Sequence, residues 1–557
     1  MTDQSQSAFD GALVGRNPRS GPRRSARPRN SAVRTNASDR ARGSWFDDLY
    51  TRFVDSPARR CLYQLGLPLV IVAVAAALRL WNLGQPRSLV FDETFYVKDA
   101  WTLWNLGFEG TWPAHPDPGF AAGSVNSFTD VPLFVVHPPL GKWIIALGMA
   151  LWGPDNSVGW RISTAVIGIL AVALLIVIAK LLFRSTLIAS LAGLFLALDG
   201  HAIVLSRISL LDGILMFFTL SAVAAILLDR RWTEHQLARK VAAGQLPSGG
   251  PVLWWRPWLL AAGLLFGLAA GVKWTGVYFL AAYGLYVVVA DALLRRRAGV
   301  PFWARGAVLK QGPVSFVLLV PIALIAYVST WLGWLRTSGG WERDWATQAP
   351  ENAWTGAFAG VPHSVQNLWH YHVQMYNYSI NLHASHAYEA HPLTWLLMLR
   401  PTNMYFVSQA QGVDGCTAAS CDETITSIAN PLLWYASVAA LGYLLYRLAR
   451  YREWRVGFVL MGIVAGYLPW LLYLDRTVFQ FYCVVFEPYL MLALALTAKI
   501  VIGSPSAPRH RRTLGIAMVV VFVVLATGLT AFYYPLWTGQ QTTTTFWQAH
   551  LWLESWA

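Results

Sequence analysis

Charge is what this sequence has least of: Asp, Glu, Lys and Arg make up 13% of its 557 residues, against 55% hydrophobic residues and 28 Trp. One water-soluble core cannot bury that much apolar surface, so an ordinary soluble domain is excluded and a bilayer is the expected solvent. Nucleotide-binding signatures are absent as well. There is neither a Walker-type loop nor a strand-borne glycine fingerprint, which leaves a soluble nucleotide donor without support. The N-terminus lacks an apolar stretch followed by a small-residue cleavage site, so no cleaved signal peptide is expected. No internal repeat is evident. Cysteine is limited to four residues; Cys416 and Cys421 are close enough in sequence to predict a small disulfide in an oxidising compartment, whereas Cys61 and Cys483 stand alone as thiols.

The formal charge of +14 depends on where 43 Lys and Arg fall. Residues 1–60 hold 12 Arg and no Lys among Ser, Pro, Asn and Gly, the composition of a disordered basic tail. An anionic inner leaflet attracts such a tail, which accounts for the charge without a nucleic-acid partner. Residues 61–557 read as a single transmembrane domain. Its apolar runs lie at about 66–84, 161–182, 185–199, 208–228, 257–271, 274–291, 314–334, 431–449, 455–474, 482–501 and 514–534, close to the roughly 20 residues that cross a hydrocarbon layer. Eleven spans place the tail and the loops near 180–184, 229–256, 291–310, 447–455 and 503–512 on one side, with 31 of the 43 basic residues. By the positive-inside rule that side is the cytoplasm. Counting Pro139–Trp152 as a further span would reverse every later loop, so this stretch is expected to lie at the interface with Trp143 and Trp152 at headgroup depth. The chain is thus predicted to be an all-α polytopic membrane protein with its C-terminus outside.

The outside then owns two long segments, about 85–160 and 335–430, each with three basic and seven acidic residues. The first contains Val90-Phe91-Asp92-Glu93-Thr94-Phe95-Tyr96, adjacent carboxylates in apolar, aromatic surroundings. An acid near low-dielectric surface has a tunable proton affinity, as a general base requires; capping of a helix from Thr94 onward is the plainer alternative. Isolated cations sit at the outer membrane ends against the orientation rule: Arg161, Arg207, Lys273, Arg336, Arg400 and Arg476. Together they point to a bound anion such as a lipid phosphate, although any one of them can snorkel or pair locally, as Arg476 can with Asp475. Cations holding a phosphate leaving group and a carboxylate deprotonating a hydroxyl compose a group-transfer site.

Phe91-Asp92-Glu93-Thr94-Phe95-Tyr96-Val97 resembles the Asp-Glu motif in the first outer loop of the protein O-mannosyltransferases, polytopic glycosyltransferases of the GT-C type. His137-Pro138-Pro139-Leu140-Gly141-Lys142, Arg207-Ile208-Ser209-Leu210-Leu211-Asp212 and Gly271-Val272-Lys273-Trp274-Thr275-Gly276 resemble further family stretches in the same order. Trp395 through Arg400-Pro401 is similar to the Trp-rich part of the large outer loop. The resemblance covers about residues 65–535 and implies a GT-C fold of 11 spans with interfacial helices in the first outer loop. It also implies transfer of mannose, with inversion, from a polyprenyl phosphate to Ser or Thr of secreted proteins emerging from translocation, in a bacterial cell membrane. Carried onto this chain, Asp92 is the expected general base and Glu93 an acceptor-orienting residue. Arg161, Arg207, Lys273 and Arg476 become candidate donor-phosphate ligands, and His137, His391, Trp395 and Arg400 candidate acceptor or sugar contacts. The segment 335–430 is too short for the sugar-binding-like domain of eukaryotic members. Where many relatives carry a His-Tyr pair near the tenth span, this chain has Gln480-Phe481-Tyr482-Cys483.

The alternatives are a related enzyme moving another lipid-linked sugar or using a lipid or glycan acceptor, and a transporter; charges at membrane ends rather than mid-bilayer favour an enzyme over the latter. Membrane lipids are expected partners and no cofactor is required. The histidines at 363, 370, 372, 383, 386 and 391 make a divalent metal conceivable, yet none forms an i, i+4 pair with a third ligand on an evident helix.

Overall fold

The computed structural model describes residues 44–244 and 247–557. The apolar runs fall on helices, but not all as single spans. Among the described residues, eight helices are long and apolar enough to cross a membrane by themselves, or nine if Thr186–Leu198 and Gly200–Arg207, bent by 62°, count as one span. The bend has a local cause: Asp199 ends one helix and caps the next, its carboxylate accepting from the His201 amide at 2.9 Å. Two other runs form helices of 16 residues, Pro257–Val272 and Glu487–Ile502, about 24 Å long at 1.5 Å per residue. Length and composition therefore support fewer independent spans than the 11 apolar runs, because an apolar run does not show where its backbone breaks. Leu140–Trp152, at 13 residues, is too short to cross alone.

Helices Leu211–Ala242, Pro257–Val272 and Thr275–Arg297 run up and down beside one another. At one end of this trio the Arg256 guanidinium binds Asp229, Asp291 (2.7 Å) and Ser315 (3.0 Å), so three buried charges and a hydroxyl close the bundle. At the other end lie Asp212, Lys273 and Thr275, the first residues of the candidate site. A charge buried in a membrane protein is tolerated only with partners or water, and each end of the trio meets that condition.

The tail expected to be disordered through residue 60 is helical from Trp45. Ser44 and Asp47 form a capping box at the start of Trp45–Phe53, and Asp47 receives two hydrogen bonds of 2.5 Å from Arg512. The acids of this stretch thus find basic partners at the start of Arg509–Thr538, which composition alone did not reveal. The remainder of that expectation, residues 1–43, lies outside the described residues.

The second outer segment contains helix His363–Ile380 and a hairpin, β1 (Thr402–Ala410) with β2 (Ser420–Ser427). β3 (Gln541–Thr543) adds to β2 in an antiparallel order β1-β2-β3. Cys416 and Cys421 are disulfide-bonded, as their spacing predicts, while Cys61 is exposed and Cys483 buried, both free.

Close helix approach is decided at Gly168, where a Cβ would come within 2.1 Å of Ser206 Oγ and 3.3 Å of Arg79 Nε. Overpacking there displaces the buried Arg79–Ser206 hydrogen bond of 3.2 Å. Gly168→Val is predicted to destabilise the protein by about 1–3 kcal/mol, read as a lower thermal midpoint in detergent, whereas the same change at Gly442, where a Cβ meets nothing within 4 Å, should leave it almost unmoved.

Candidate active site

The two adjacent acids take opposite environments. Helix Glu93–Leu106 starts at Asp92, whose side chain makes no cap hydrogen bond, and one residue of helix rotation, about 100°, sends Glu93 inward. Glu93 is fully buried. Its carboxylate accepts from Arg161 Nε and Nη2, both at 2.8 Å, from the Val90 amide at 2.9 Å and from the Ser209 amide at 2.8 Å. Arg161, also fully buried, spends its other N–H groups on the carbonyls of Pro86 and Ser88, each at 2.9 Å. Every hydrogen-bonding site on this pair is thus engaged by protein, the condition under which a buried ion pair is sustainable. Glu93 and Arg161 therefore lock the first outer loop to helix Ser157–Phe183 and to the start of Leu211–Ala242. Glu93 and Arg161, expected to orient the acceptor and to bind phosphate, are here paired with each other and with backbone groups.

Arg207 is likewise inside. It donates to the carbonyls of Arg79 (3.1 Å), Trp81 and Asn82 (2.6 and 3.1 Å), capping the carbonyl end of helix Pro57–Leu80, where a cation is favoured. Arg400 grips Ala387, Ser555 and Ala557 carbonyls and so holds the C-terminus. His391 caps the short helix Pro392–Leu397, and fully buried Trp395 donates to Ala390 O at 2.8 Å. None of these four lines the cleft described next. Arg207, Arg400 and Trp395 donate to backbone carbonyls, and exposed His391 uses Nδ1 to cap a helix.

Asp92, Lys273, His137 and Arg476 come together. An open cleft with about 830 Å³ of empty space is lined by His137, Asp212, Lys273, Arg476 and a ring of aromatic residues that includes Trp274, Tyr278, Trp470 and Tyr482. Lys273 Nζ donates to Asp212 at 2.7 Å and stands 4.9 Å from the Tyr482 ring centroid, so the acid in the first turn of Leu211–Ala242 is paired. The Arg476 guanidinium stacks 5.7 Å from the Trp470 ring, and its buried Nε has no hydrogen-bond partner among the described residues. An unpaired N–H of a charged group in a cleft is costly unless a ligand completes it. The Asp92 carboxylate, beside this cleft, makes no hydrogen bond or ion pair among the described residues. Burial pushes its carboxyl up to about 6, Asp212 adding and Lys273 opposing. Burial, reinforced by Lys273, Lys142 and Arg476, holds His137 well below its ordinary value; it is neutral at pH 7 and offers one donor and one acceptor. Its carbonyl accepts from Lys142 at 3.2 Å, and Lys142 pairs with buried Glu109.

Phe91 is a further feature that the sequence did not signal. It is held at φ +49°, in the left-handed region that disfavours a residue with a Cβ. Its ring is clasped edge-on by Phe479, Phe481 and His386, at centroid distances of 5.6, 5.8 and 5.9 Å. The turn that presents Asp92 is thereby pinned to the segment carrying Arg476 and Tyr482. The aromatic wall, Tyr482 above all, was also missed, because within an apolar run a ring lining a cleft looks like one facing lipid. Among the described residues no cluster of three or more His, Cys, Asp or Glu could hold a metal; His370 instead pairs with Glu342 at 2.5 Å, and His372 with Tyr327 at 2.6 Å.

Two family models match the chain: the dolichyl-phosphate-mannose-protein mannosyltransferases over residues 131–333, and the C-terminal four-transmembrane region of protein O-mannosyltransferases over 364–556. A polyprenol-phosphate-mannose–protein mannosyltransferase of Mycolicibacterium smegmatis is 35% identical over 499 residues, covering 87% of this chain and 92% of that one. The chain belongs to the protein mannosyltransferase family. The similarly named protein of Mycobacterium tuberculosis is 33% identical over 500 residues, covering 88% and 91% of the two chains. Among solved structures, the S. cerevisiae protein O-mannosyltransferase Pmt1-Pmt2 complex bound to the sugar donor superimposes with a TM-score of 0.67 at 14% identity, over 92% of this chain and 95% of that one, which establishes the same GT-C fold. The protein is a multi-pass membrane glycosyltransferase.

The neighbouring acids predict opposite phenotypes. Glu93→Gln leaves Arg161 buried without its counter-charge and should cost about 3–5 kcal/mol, measured as a fall in thermal midpoint in detergent. Asp92→Asn removes a carboxylate that burial already disfavours in its charged form, so its midpoint at pH 8 should equal or exceed that of the wild type.

Proposed function

We propose that this protein transfers mannose from polyprenyl phosphate mannose to Ser or Thr hydroxyls of secreted proteins at the outer face of the cell membrane. In this reading the N-terminus is cytoplasmic and the C-terminus, with the cleft, lies outside. The observation that carries it is an Asp92 carboxylate without a hydrogen-bond partner among the described residues, pushed up to about 6 by burial, beside a cleft containing Lys273 and the unsatisfied Arg476. The names of the relatives, matched over 91–92% of their length, support this donor and a protein acceptor.

The steps follow from the placement. Arg476 and Lys273 hold the donor phosphate, and the aromatic ring of the cleft encloses the sugar. The acceptor hydroxyl meets Asp92, which takes its proton as the oxygen attacks the anomeric carbon. The bond from that carbon to the phosphate oxygen breaks, its electron pair stays on the phosphate, and the cations stabilise the developing charge. One displacement with base and leaving group on opposite sides inverts the anomeric centre. Neutral His137 hydrogen-bonds sugar hydroxyls without competing for the phosphate. Glu93 acts only by holding the turn.

Asp92→Asn keeps the side-chain size and removes the base, so transfer of labelled mannose from polyprenyl phosphate mannose to a Ser/Thr-rich peptide should fall by about 10²-fold or more. Undiminished transfer would remove Asp92 from this role. Because the base works deprotonated, wild-type kcat/KM should fall as pH drops through about 6 and level off above it. The residual activity of Asp92→Asn should lack that limb.

A further inference from the structure

At the membrane face away from the cleft, cations gather from four parts of the chain. Helix Leu211–Ala242 holds Asp212 at the cleft, and Arg230 lies about 27 Å further along its axis at 1.5 Å per residue, close to the thickness of the hydrocarbon layer. Arg230 and Arg455 both stack on Trp454, their guanidinium carbons 4.1 and 5.0 Å from its ring centroid. Arg231 donates to the Leu181 carbonyl, and Lys499 Nζ donates to the Phe183 carbonyl at 3.3 Å. Both therefore close on the last turn of Ser157–Phe183. Arg184 follows that turn, and its charge repels Arg231 and Arg455; Arg455 in turn repels Lys499.

Two general rules account for part of this cluster. A helix C-terminus attracts cations, which explains Arg231 and Lys499, and the inner side of a membrane protein collects basic residues. Neither rule explains why Arg230 and Arg455 share one ring. The acids in reach do not balance the charge: Glu453 is taken by Arg447, which leaves Glu234. Arg230 is only 6% exposed, and its buried Nε has no hydrogen-bond partner among the described residues. Thr233 Oγ1, one turn further on the same face, is also buried without a partner among them. Buried donors left unsatisfied are costly, and like charges at close range repel. An anion with several acceptor oxygens removes both costs.

The surroundings select the class of anion. Trp454 marks headgroup depth, and Val177 and Leu187, on the two helices that Arg184 joins, expose apolar surface by 52% and 44%. Basic pockets between helix ends at the cytoplasmic face suit lipid phosphates. We infer that this corner binds the phosphate of an anionic lipid in the leaflet opposite the cleft, with Arg184, Arg230, Arg231 and Arg455 around the headgroup and acyl chains along Val177 and Leu187. The assignment does not rest on the transfer reaction proposed above. A lipid held there ties the far end of Leu211–Ala242 to Trp454–Gly466 and Glu487–Ile502, the two helices that flank the segment carrying Arg476 and Tyr482.

The test uses full-length protein in neutral detergent, titrated with phosphatidic acid, phosphatidylcholine or inorganic phosphate. Native mass spectrometry counts bound lipid, and the thermal midpoint is followed in parallel. Because the cleft is a second place for a lipid phosphate, every titration is repeated on Arg476→Gln. In both backgrounds phosphatidic acid should bind in preference to phosphatidylcholine and raise the midpoint. Arg231→Gln combined with Arg455→Gln should weaken that binding by about tenfold, the equivalent of about 1.4 kcal/mol. Arg239→Gln, an exposed cation further along the same helix, should leave it unchanged. Should the double variant fail to fold, Arg184→Gln at the exposed rim takes its place with the same direction of effect. Equal binding of the two lipids overturns the inference, as does undiminished binding of phosphatidic acid by the variants. A midpoint raised as far by inorganic phosphate as by phosphatidic acid would assign the corner to a soluble anion and overturn the lipid assignment.

Discussion

The pairing of Glu93 with Arg161 is the constraint on which the outer half of the protein depends. Two opposite charges with no solvent exposure bind each other twice and then reach four backbone groups on two stretches of chain: the carbonyls of Pro86 and Ser88 and the amide of Val90 on one, and the amide of Ser209 on the other. Bringing such charges out of water is expensive, and only full satisfaction of both groups offsets it. That requirement leaves little choice for the position of the first outer loop, and so for the residue before Glu93. Asp92 is held at the cleft by its buried, fully hydrogen-bonded neighbour.

Around this lock, the site is arranged by contrast. Glu93 has a cation and two amides and is spent; Asp92 has no hydrogen bond and keeps its proton to about pH 6. Arg161 and Arg207 are consumed by carboxylate and carbonyls, whereas Arg476 retains an unsatisfied Nε beside the cleft. Lys273 is intermediate, tied to Asp212 yet lining the cleft. Strain at Phe91, of about 1–3 kcal/mol for such a backbone, is borne by the aromatic clasp from Phe479, Phe481 and His386. The turn bearing Asp92 and the segment bearing Arg476 are thus packed against each other. Near-attack geometry is sensitive to displacements of about 1 Å, so such a coupling has catalytic value.

Apolar runs, the Cys416–Cys421 spacing and the ordered motifs were sufficient in sequence to locate helices, a disulfide and the family. Asp212 on an apolar helix needs a basic partner because an unpaired buried charge is costly in a membrane, and Lys273 supplies it. What the sequence did not resolve is which face a residue occupies. Helices such as Ser157–Phe183 are apolar nearly all round, so no moment tells whether Arg161 points into the cleft or into the bundle. Asp92 and Glu93 differ only by one step of helix rotation. Arg207 has the same charge and membrane depth as a phosphate ligand, and only the carbonyls of Arg79, Trp81 and Asn82 show that its donors are taken. The left-handed backbone at Phe91 leaves no trace in composition. The helix at Trp45 was hidden because its stabilising partners, Arg509 and Arg512, lie more than 450 residues away.

The central claim is the division of the outer cations between fold and substrate. The most direct test is the structure of the protein in lipid nanodiscs with polyprenyl phosphate, the product that retains the leaving group. The account predicts phosphate density between Lys273 and Arg476, with Arg161 still on Glu93 and Arg207 still on the carbonyls after Leu78. Phosphate bound by Arg161 or Arg207, or held outside the cleft, would contradict it.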